Sequence, residues 1–246
     1  MVCDENINTG IWMISELDDL MKTAALINNS GERIAYLSER FIGTPYAGNT
    51  LVGSEAYEEV FIINLSGVDC FTFLDYIEAM RLSDTFSAFK ENLKLVRYRR
   101  RIISYENRNH FFSDWREFNS KLVRDVTSDV GRSNSCKICK ILNLKDDGTA
   151  FLHGIMPVDR IINYIPAAGI DERTLGRLKT GDYIGIYSDH AGLDATHVGI
   201  FVRQPGGRVL RHASSAKNVM KVVDQDFIDY TKDKPGIIVL RPKSSA

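Results

Sequence analysis

The sequence has no long apolar run. No stretch approaches the about 20 apolar residues that a helix needs to cross a bilayer. The first residues, Met-Val-Cys-Asp-Glu-Asn, also lack the basic start and the apolar segment of a secretory signal. We therefore expect no membrane span. The protein either stays inside the cell or begins after a signal that has been removed.

An excess of charge of either sign is also missing. Lys and Arg together number 31 and Asp and Glu together number 32, which gives a formal net charge of -1. Nucleic acids and anionic membranes attract proteins with an excess of basic residues, so we expect neither as a partner. The basic run 97–101 is short, and we interpret it as a solvated strand edge or an anion contact.

Cysteines are few: Cys3, Cys70, Cys136 and Cys139. A chain of 246 residues with 44% hydrophobic residues can build a core without a disulfide framework. Cys136 and Cys139 have CxxC spacing, but no second CxxC or HxxxH accompanies them to complete a zinc site. We interpret this pair as surface thiols, either incidental or disulfide-forming, with a metal or redox role as the less favoured alternative.

The pattern of apolar residues changes from helical to strand-like along the chain. Helical spacing over 11–41, with a break at Asn28-Asn29-Ser30-Gly31, is followed by a short strand at 61–65 and helices over 70–81 and 84–96. From Asp182 onward the pattern predicts strands at 183–187, 197–203, 209–213 and 237–240. Helices followed by antiparallel strands predict an α+β fold rather than a doubly wound α/β fold.

One cysteine and two histidines have the arrangement that nucleophilic catalysis requires. Cys70 begins a predicted helix that Asp69 can cap, so the helix N-terminus would stabilise a thiolate and an oxyanion. His197 and His212 flank the turn at Pro205-Gly206-Gly207, so they would be near neighbours on adjacent strands. A lone buried Cys or a strand His is usually structural. The combination favours Cys70 as a nucleophile with a histidine base.

Four segments resemble, in the same order, segments of the NlpC/P60 superfamily of papain-like cell-wall hydrolases. Asp69-Cys70-Phe71-Thr72-Phe73 is similar to the Asp-Cys-Ser-Gly-Phe that begins the catalytic helix of that superfamily. Residues 178–184, LKTGDYI, resemble its Leu-x-x-Gly-Asp-Leu-Val strand start. Residues 197–201, HVGIF, resemble its His-Val-Gly-Ile-Tyr strand, and residues 209–214, VLRHAS, resemble the next strand, which ends His-Ala.

Two departures from that pattern point to one branch. The distance of 127 residues from Cys70 to His197 is long, and Phe-Thr replaces the Ser-Gly after the cysteine. With residues 64–70, NLSGVDC, and 108–115, RNHFFSDW, these departures resemble the DUF1460 family. The resemblance extends from about residue 36 to 242. It implies N-acetylmuramoyl-L-alanine amidase activity, which releases the stem peptide from muropeptides that carry anhydro-muramic acid.

The resemblance also implies a fold. We expect a papain-like NlpC/P60 core, with the catalytic Cys at the start of a helix packed on an antiparallel sheet. A helical part over 1–42 would precede this core, and a large insert over 97–165 would shape the substrate site. All of these parts would belong to a single catalytic domain over 1–246.

The implied mechanism uses Cys70 as nucleophile, His197 as its base and His212 to orient His197, with no metal or organic cofactor. We expect Arg108 to bind a carboxylate, Trp115 to contact a sugar face and His110 to make a polar contact, with a half-buried core role as the alternative for Trp115. The remaining predicted substrate-binding residues are Tyr46, over the active site, Asn64 and Ser66, beside the nucleophile, and Asp194, which contacts substrate or shapes a turn.

Peptidoglycan fragments, that is muropeptides, are the expected partners of a monomeric protein. Such a substrate would place the protein in the periplasm or cell envelope. Three alternatives remain: a γ-D-glutamyl–diaminopimelate endopeptidase, an acyltransferase that uses the same thioester, and a non-catalytic peptidoglycan-binding module. The intact Cys70, His197 and His212 argue against the last of these.

Overall fold

The computed structural model describes residues 5–244, and helices and strands contribute 34% and 29% of the chain. The chain divides into two compact units. Unit 1 comprises residues up to 108, residues 211–224 and residue 244, and unit 2 comprises residues 109–210 and 225–243. The predicted α+β class is confirmed. None of the helices in residues 5–244 is long and apolar enough to cross a membrane.

Within the described residues, unit 1 contains four α-helices and a pair of short parallel strands. In chain order these elements are β1 Glu5–Asn8, α1 Ile14–Ala25, α2 Ser30–Glu39, β2 Phe61–Asn64, α3 Cys70–Arg81 and α4 Phe86–Arg97. The predicted break between the first two helices is confirmed. It ends at Asn29, whose side-chain oxygen accepts hydrogen bonds from the N–H groups of Gly31 (2.9 Å) and Glu32 (3.1 Å).

Helix α3 is buried on nearly all sides. Every residue from Thr72 to Arg81 is buried, as expected for a helix in the centre of a unit. Its charged residues are paired: Arg81 contacts Glu78 at 2.6 Å, and Asp75 accepts a hydrogen bond of 2.9 Å from Arg97 of α4. Buried charges of this kind persist only when they are paired, so these contacts hold α3 in one position.

Unit 2 contains most of a large sheet. Its elements are α5 Phe112–Phe118, β3 Val123–Asp125, α6 Thr127–Gly131, β4 Cys136–Leu142, β5 Val158–Pro166, α7 Glu172–Arg177, β6 Tyr183–Tyr187, β7 Ala195–Gln204, β8 Gly207–Ser214, β9 Lys221–Asp226, α8 Phe227–Thr231 and β10 Gly236–Pro242. Strand β8 continues into unit 1 after Leu210, and β9 leaves unit 1 after Asp224.

The eight strands have the order β4-β5-β10-β6-β7-β8-β9, with β3 paired to β10. Strand β10 pairs antiparallel with β5 on one side and with β6 on the other. Ile237 of β10 lies opposite Ile165 of β5 and Ile186 of β6. Directly paired residues of antiparallel strands point to the same side of a sheet. These three isoleucines belong to the buried apolar cluster of unit 2, which therefore lies on one face of the sheet.

Most of the predicted elements are confirmed. Helix α3 has the predicted bounds, and each of the four predicted strands falls within a strand of the structure. The turn between β7 and β8 contains only Pro205 and Gly206, and Gly206 has φ +100°, a conformation that favours glycine. The region 97–165 supplies strands β3, β4 and β5. The single domain over 1–246 stays a prediction.

The CxxC pair lies on strand β4. Cys136 is paired with Tyr164 and Cys139 with Ile161, and both thiols are free and exposed. Residues three apart on a strand point to opposite faces and lie about 10 Å apart. The two thiols cannot bond to each other or hold one metal ion while β4 keeps this pairing. Residues 5–244 contain no cluster of three or more potential metal-ligating side chains. Cys3 lies outside the described residues.

Close packing at Gly185 of β6 gives a testable prediction for unit 2. A Cβ atom at Gly185 would lie 2.5 Å from Cδ1 of Phe112, a side chain of α5 that is itself buried. We expect Gly185→Ala to lower the free energy of unfolding by about 1 to 3 kcal/mol, because neither the strand nor the ring can move away freely. Urea unfolding followed by circular dichroism measures this change.

Gly207 on β8 is the matched control, because a Cβ atom there would meet no heavy atom within 4 Å. Gly207→Ala should leave the free energy of unfolding within about 0.5 kcal/mol of the wild type. Equal stability of the two variants would contradict the packing described for Gly185.

Candidate active site

The predicted nucleophile is the first residue of α3. Asp69 caps this helix. One carboxylate oxygen of Asp69 accepts hydrogen bonds from the N–H groups of Phe71 (3.0 Å) and Thr72 (2.7 Å) and from the Thr72 hydroxyl (2.8 Å). The Thr72 hydroxyl also accepts a hydrogen bond from the Asp69 N–H. The cap fixes the partly buried Cys70 at the positive end of the helix dipole. It also engages two N–H groups of the first turn, so these two cannot serve as oxyanion donors.

Tyr46 lies close to Cys70. The backbone around it pairs with the loop before α3, through hydrogen bonds of 3.0 Å from the Val68 N–H to the Pro45 carbonyl and from the Ala47 N–H to the Val68 carbonyl. Burial raises the pKa of Tyr46, and its nearness to Cys70 and Asp69 raises it further. The phenol of Tyr46 is therefore neutral at physiological pH. Substrate contact by Tyr46 over the active site stays a prediction.

Gly67 permits this close approach. A Cβ atom at Gly67 would lie 2.8 Å from the Cβ of Ala47, which is too short for two carbon atoms. The Ser-Gly-Val-Asp-Cys segment therefore carries glycine where the loop that contains Tyr46 passes over it.

Asn64 and Ser66 hold the connection between β2 and α3. The Asn64 side-chain oxygen accepts hydrogen bonds from the Ser66 N–H (3.1 Å) and from the Ser66 hydroxyl (2.7 Å). The Ser66 hydroxyl accepts a further hydrogen bond from the Asn8 amide, and the Asn64 N–H donates to the Tyr76 hydroxyl at 2.8 Å. Both polar side chains are thus engaged within the unit, and substrate contact by Asn64 and Ser66 stays a prediction.

Arg108 is paired with Glu59. Its Nη1 lies 3.1 Å from Oε1 of Glu59, and the same oxygen accepts a 2.8 Å hydrogen bond from the Tyr98 hydroxyl. The Glu59 side chain is fully buried, and burial raises its pKa although Arg108 and Tyr98 favour the ionised form. The Arg108 side chain is only 14% exposed. A substrate carboxylate would have to compete with Glu59 for this guanidinium, so carboxylate binding by Arg108 stays a prediction.

His212 lies in the part of β8 that belongs to unit 1, and it is buried. The preceding residue, Arg211, fixes this part of the strand. Its guanidinium donates two hydrogen bonds to Asp224 of β9, of 2.7 and 2.8 Å, and others to the Ala35 carbonyl (3.0 Å) and the Ser38 hydroxyl (3.1 Å) of α2. Since these contacts hold the backbone at Arg211, they also fix the position of His212.

His197 lies on β7, directly opposite Ile186 of β6. It therefore extends the row of Ile165, Ile237 and Ile186, at the margin of the apolar cluster of unit 2. The pairing then shifts, because Tyr187 is opposite Ala195 and leaves Thr196 as an extra residue. Such a bulge changes the direction of neighbouring side chains and is common beside functional residues.

Asp194 is buried one residue before β7. Its carboxylate accepts hydrogen bonds from the backbone N–H groups of Ser113 (2.6 Å) and Ala195 (2.7 Å), and its carbonyl accepts one from the Ser188 N–H. Burial raises the pKa of Asp194. These contacts shape the β6–β7 connection and hold the first turn of α5 against it. Substrate contact by Asp194 stays a prediction.

His110 and Trp115 belong to unit 2 as well. His110 is partly buried, two residues before α5. Trp115 is fully buried: its ring stacks on Phe112 at 6.4 Å between centroids and meets Tyr183 edge-on at 5.3 Å. The sugar contact of Trp115 stays a prediction, and its ring would first have to be uncovered.

Sequence reasoning missed the partners of these residues. It did not identify Glu59 beside Arg108 or the Tyr230 ring, which lies 6.1 Å from that of His197. The anchoring role of Arg211 was also missed, although Arg211 directly precedes a predicted catalytic histidine. The other two are distant in sequence from the residues they contact.

The Glu59–Arg108 pair predicts a stability effect that depends on pH. The pKa of Glu59 is higher in the folded protein than its ordinary value of 4.5. Glu59 therefore contributes to the free energy of unfolding at low pH, where it is protonated, and this contribution is lost as pH rises. Removing the cation raises this pKa further. We expect Arg108→Met to cost up to about 3 kcal/mol of unfolding free energy at neutral pH and distinctly less near pH 4. Urea unfolding at both pH values measures the difference.

Glu59→Gln supplies the control for this prediction. A neutral amide at position 59 should remove most of the pH dependence, and adding Arg108→Met to Glu59→Gln should cost less than Arg108→Met alone. Equal costs of Arg108→Met at the two pH values would show that the charge of Glu59 is not the cause.

The chain is similar to a family of known proteins and to several solved structures. The family model described as AmiA-like, N-acetylmuramoyl-L-alanine amidase-like, matches residues 36–237. A DUF1460 protein of Legionella pneumophila is 23% identical with a TM-score of 0.79, and the match covers 93% of this chain and 94% of that one. At this identity the likeness shows the fold alone.

Two further structures are similar over most of their length. An N-acetylmuramoyl-L-alanine amidase from Bacteroides uniformis is 25% identical with a TM-score of 0.70, over 93% of this chain and 99% of that one. A Bacteroides fragilis protein provisionally named a xylanase is 28% identical with a TM-score of 0.64, over 83% and 98%. No curated protein is significantly similar in sequence. Since the family model covers more than half of the sequence, this chain belongs to the AmiA-like, N-acetylmuramoyl-L-alanine amidase-like family.

Proposed function

We propose that this protein is a cysteine-dependent N-acetylmuramoyl-L-alanine amidase of the papain-like NlpC/P60 type. It cleaves the amide between N-acetylmuramic acid, in its reducing or 1,6-anhydro form, and the L-alanine of a peptidoglycan fragment. The observation that carries the proposal is the placement of Cys70, which begins a capped helix beside Tyr46. Family membership and the name of the B. uniformis neighbour support the amidase reaction.

Cys70 is the proposed nucleophile. Its thiol lies at the N-terminus of a 12-residue helix, where the helix dipole favours the thiolate over the thiol. The bonds from Asp69 to Phe71 and Thr72 hold this end of the helix rigid, so the sulfur has one position from which to attack. The other described cysteines, Cys136 and Cys139, lie exposed on a strand without such a setting.

His197 is the proposed base and His212 its orienting residue. His197 points to the same side of the sheet as Ile186, with which it is paired. On β8, Leu210 belongs to the same apolar cluster as Ile186, and side chains two apart on a strand share a side. His212 follows Leu210 by two residues on the same strand, and its orienting role is what the resemblance implies. A histidine that accepts the second ring N–H of His197 would fix its tautomer.

The reaction then follows from these roles. His197 accepts the Cys70 proton, and the thiolate attacks the lactyl carbonyl carbon of muramic acid. The C–N bond breaks as His197 returns the proton to the leaving amine of L-alanine. A water molecule gives a proton to His197 and attacks the thioester carbonyl carbon. The C–S bond then breaks, and His197 returns the proton to the Cys70 sulfur. The products are the free lactyl carboxyl group, the stem peptide and the Cys70 thiol.

Product analysis tests the proposal. We expect wild-type protein to release the intact tetrapeptide from a disaccharide–tetrapeptide that carries 1,6-anhydro muramic acid. Cys70→Ala should release none, since removal of a catalytic nucleophile costs about a millionfold in rate. Mass spectrometry of the products, with the reducing muropeptide in parallel, measures both the bond that is cut and the preference for the anhydro sugar.

Cys139→Ala is the matched control, because it removes an exposed thiol that lies on β4 of unit 2. It should release peptide at the wild-type rate. A shortened peptide would identify an endopeptidase, a peptide joined to an added amine would identify an acyltransferase, and a shortened glycan would agree with the name of the B. fragilis neighbour. If the protein binds the muropeptide but does not cleave it, the protein is a peptidoglycan-binding module.

The orienting role of His212 predicts a graded response. His212→Ala should lower kcat by about a hundredfold or more, as the loss of an orienting group does elsewhere. His212→Asn should retain more activity, because an amide oxygen can accept the same ring N–H. Steady-state kinetics on the muropeptide measures both values. Equal kcat values for His212→Ala and the wild type would remove His212 from the mechanism.

The proposed substrate suggests where the protein acts. Peptidoglycan fragments occur in the periplasm and cell envelope, so we propose that location and a monomeric enzyme. Arg108, His110, Trp115 and Asp194 remain proposed substrate contacts, with the intramolecular partners described above.

A further inference from the structure

One aromatic side chain lies against His197 and has no part in the mechanism so far. Tyr230 of α8 has its ring centroid 6.1 Å from that of His197, with an angle of 42° between the ring planes. Both residues belong to unit 2, and both are partly buried. A distance of 6.1 Å lies within the range of paired aromatic rings, so each ring limits the space in which the other can turn.

The position of Tyr230 is fixed by the short helix that carries it. Phe227, one turn earlier in α8, is fully buried and meets Phe201 of β7 edge-on at 4.9 Å between centroids. The Thr231 hydroxyl donates a 2.7 Å hydrogen bond to the Phe227 carbonyl, and the Asp226 side chain caps the helix through the Asp229 N–H. The Tyr230 ring itself packs on the apolar cluster of unit 2.

Strand alternation explains why the two rings meet. Phe201 and His197 are four residues apart on β7, so their side chains leave the same side of the strand. Helix α8 covers this side at Phe201 through Phe227, and Tyr230 follows Phe227 by nearly one turn. His197 therefore has Ile186 beside it on the sheet and the Tyr230 ring against its own.

We propose that Tyr230 is a positioning residue that holds the imidazole of His197 in its productive orientation. The inference rests on the proposed role of His197 as base. An imidazole has two torsions to fix, and His212 can hold only one ring nitrogen. A packed ring restricts rotation at low entropic cost, because the aromatic ring is itself rigid.

Electrostatic stabilisation of an imidazolium is not the main effect. A cation–π contact requires the cation within about 6 Å of the ring centroid, and the 6.1 Å separation is at that limit. In addition, Lys234 already places its ammonium 5.4 Å from the centroid of the Tyr230 ring. Tyr230 therefore acts on His197 through the packing of its ring.

Two substitutions at position 230 test this inference. Tyr230→Leu keeps apolar bulk but removes the ring, and it should lower kcat on the muropeptide about tenfold, because a small displacement of a base costs this much or more. KM should change less than about twofold, since ground-state binding is unaffected. Tyr230→Phe keeps the ring and should keep kcat within about twofold of the wild type.

The control variant is Ile228→Ala, at an exposed residue of the same helix. It should leave kcat and KM at the wild-type values, and thermal unfolding should show that all variants are folded. Full kcat for Tyr230→Leu would overturn the proposal. So would a loss in Tyr230→Phe as large as in Tyr230→Leu, because the hydroxyl would then be the active group.

NMR of the imidazole groups separates this inference from the proposed function. The chain has five histidines, and His197→Gln identifies the signals of His197. We expect equally sharp His197 signals in wild type and Tyr230→Phe, and exchange-broadened signals in Tyr230→Leu. A shift without broadening reports only the loss of the neighbouring ring current. If the wild type cuts no muropeptide, this spectrum still decides whether Tyr230 orients His197. His197 signals in Tyr230→Leu that are as sharp as those of the wild type would overturn the proposal.

Discussion

The cap of α3 is the interaction on which the arrangement around Cys70 depends. A helix begins with N–H groups that have no partner in the helix, and the Asp69 carboxylate satisfies two of them. A cap of this kind contributes about 1 kcal/mol. It also fixes where the helix starts, and so places Cys70 at its positive end. The loop that contains Tyr46 can then pair with Val68, because glycine at position 67 leaves room for Ala47.

Unit 2 places His197 by a different means. The row Ile165, Ile237 and Ile186 is continued by His197, so a polar ring replaces a fourth apolar side chain at the margin of the cluster. The bulge at Thr196 and the buried Asp194 define how β7 begins. Strand β7 is paired with a neighbouring strand on each side, so a base on it keeps a fixed orientation. Proton transfer requires a base in a fixed orientation.

The accuracy of sequence reasoning differed between elements for physical reasons. Helix α3 was predicted with its bounds because it has a capping residue at its start and a continuous apolar pattern. Strand β9, with the sequence KVVDQD, was missed because it has little apolar character of its own and pairs at the end of the sheet. In the region 97–165, strand β4 carries mostly exposed residues, and β5 mixes exposed, partly buried and buried ones, so no regular alternation of buried and exposed positions marked either strand.

The sequence by itself determined the order of the main helices and strands, the capped start at Cys70 and the segments that resemble one family. Each of these features depends on residues that are close together in the sequence, since caps, turns and strand alternation are local. Only the tertiary structure decided which side chains are already engaged. Glu59 holds Arg108 from 49 residues away, and Asp194 holds Ser113 from 81 residues away. Tyr230 reaches His197 only because α8 folds back on β7. Such contacts depend on the path of the whole chain, and no local pattern encodes them.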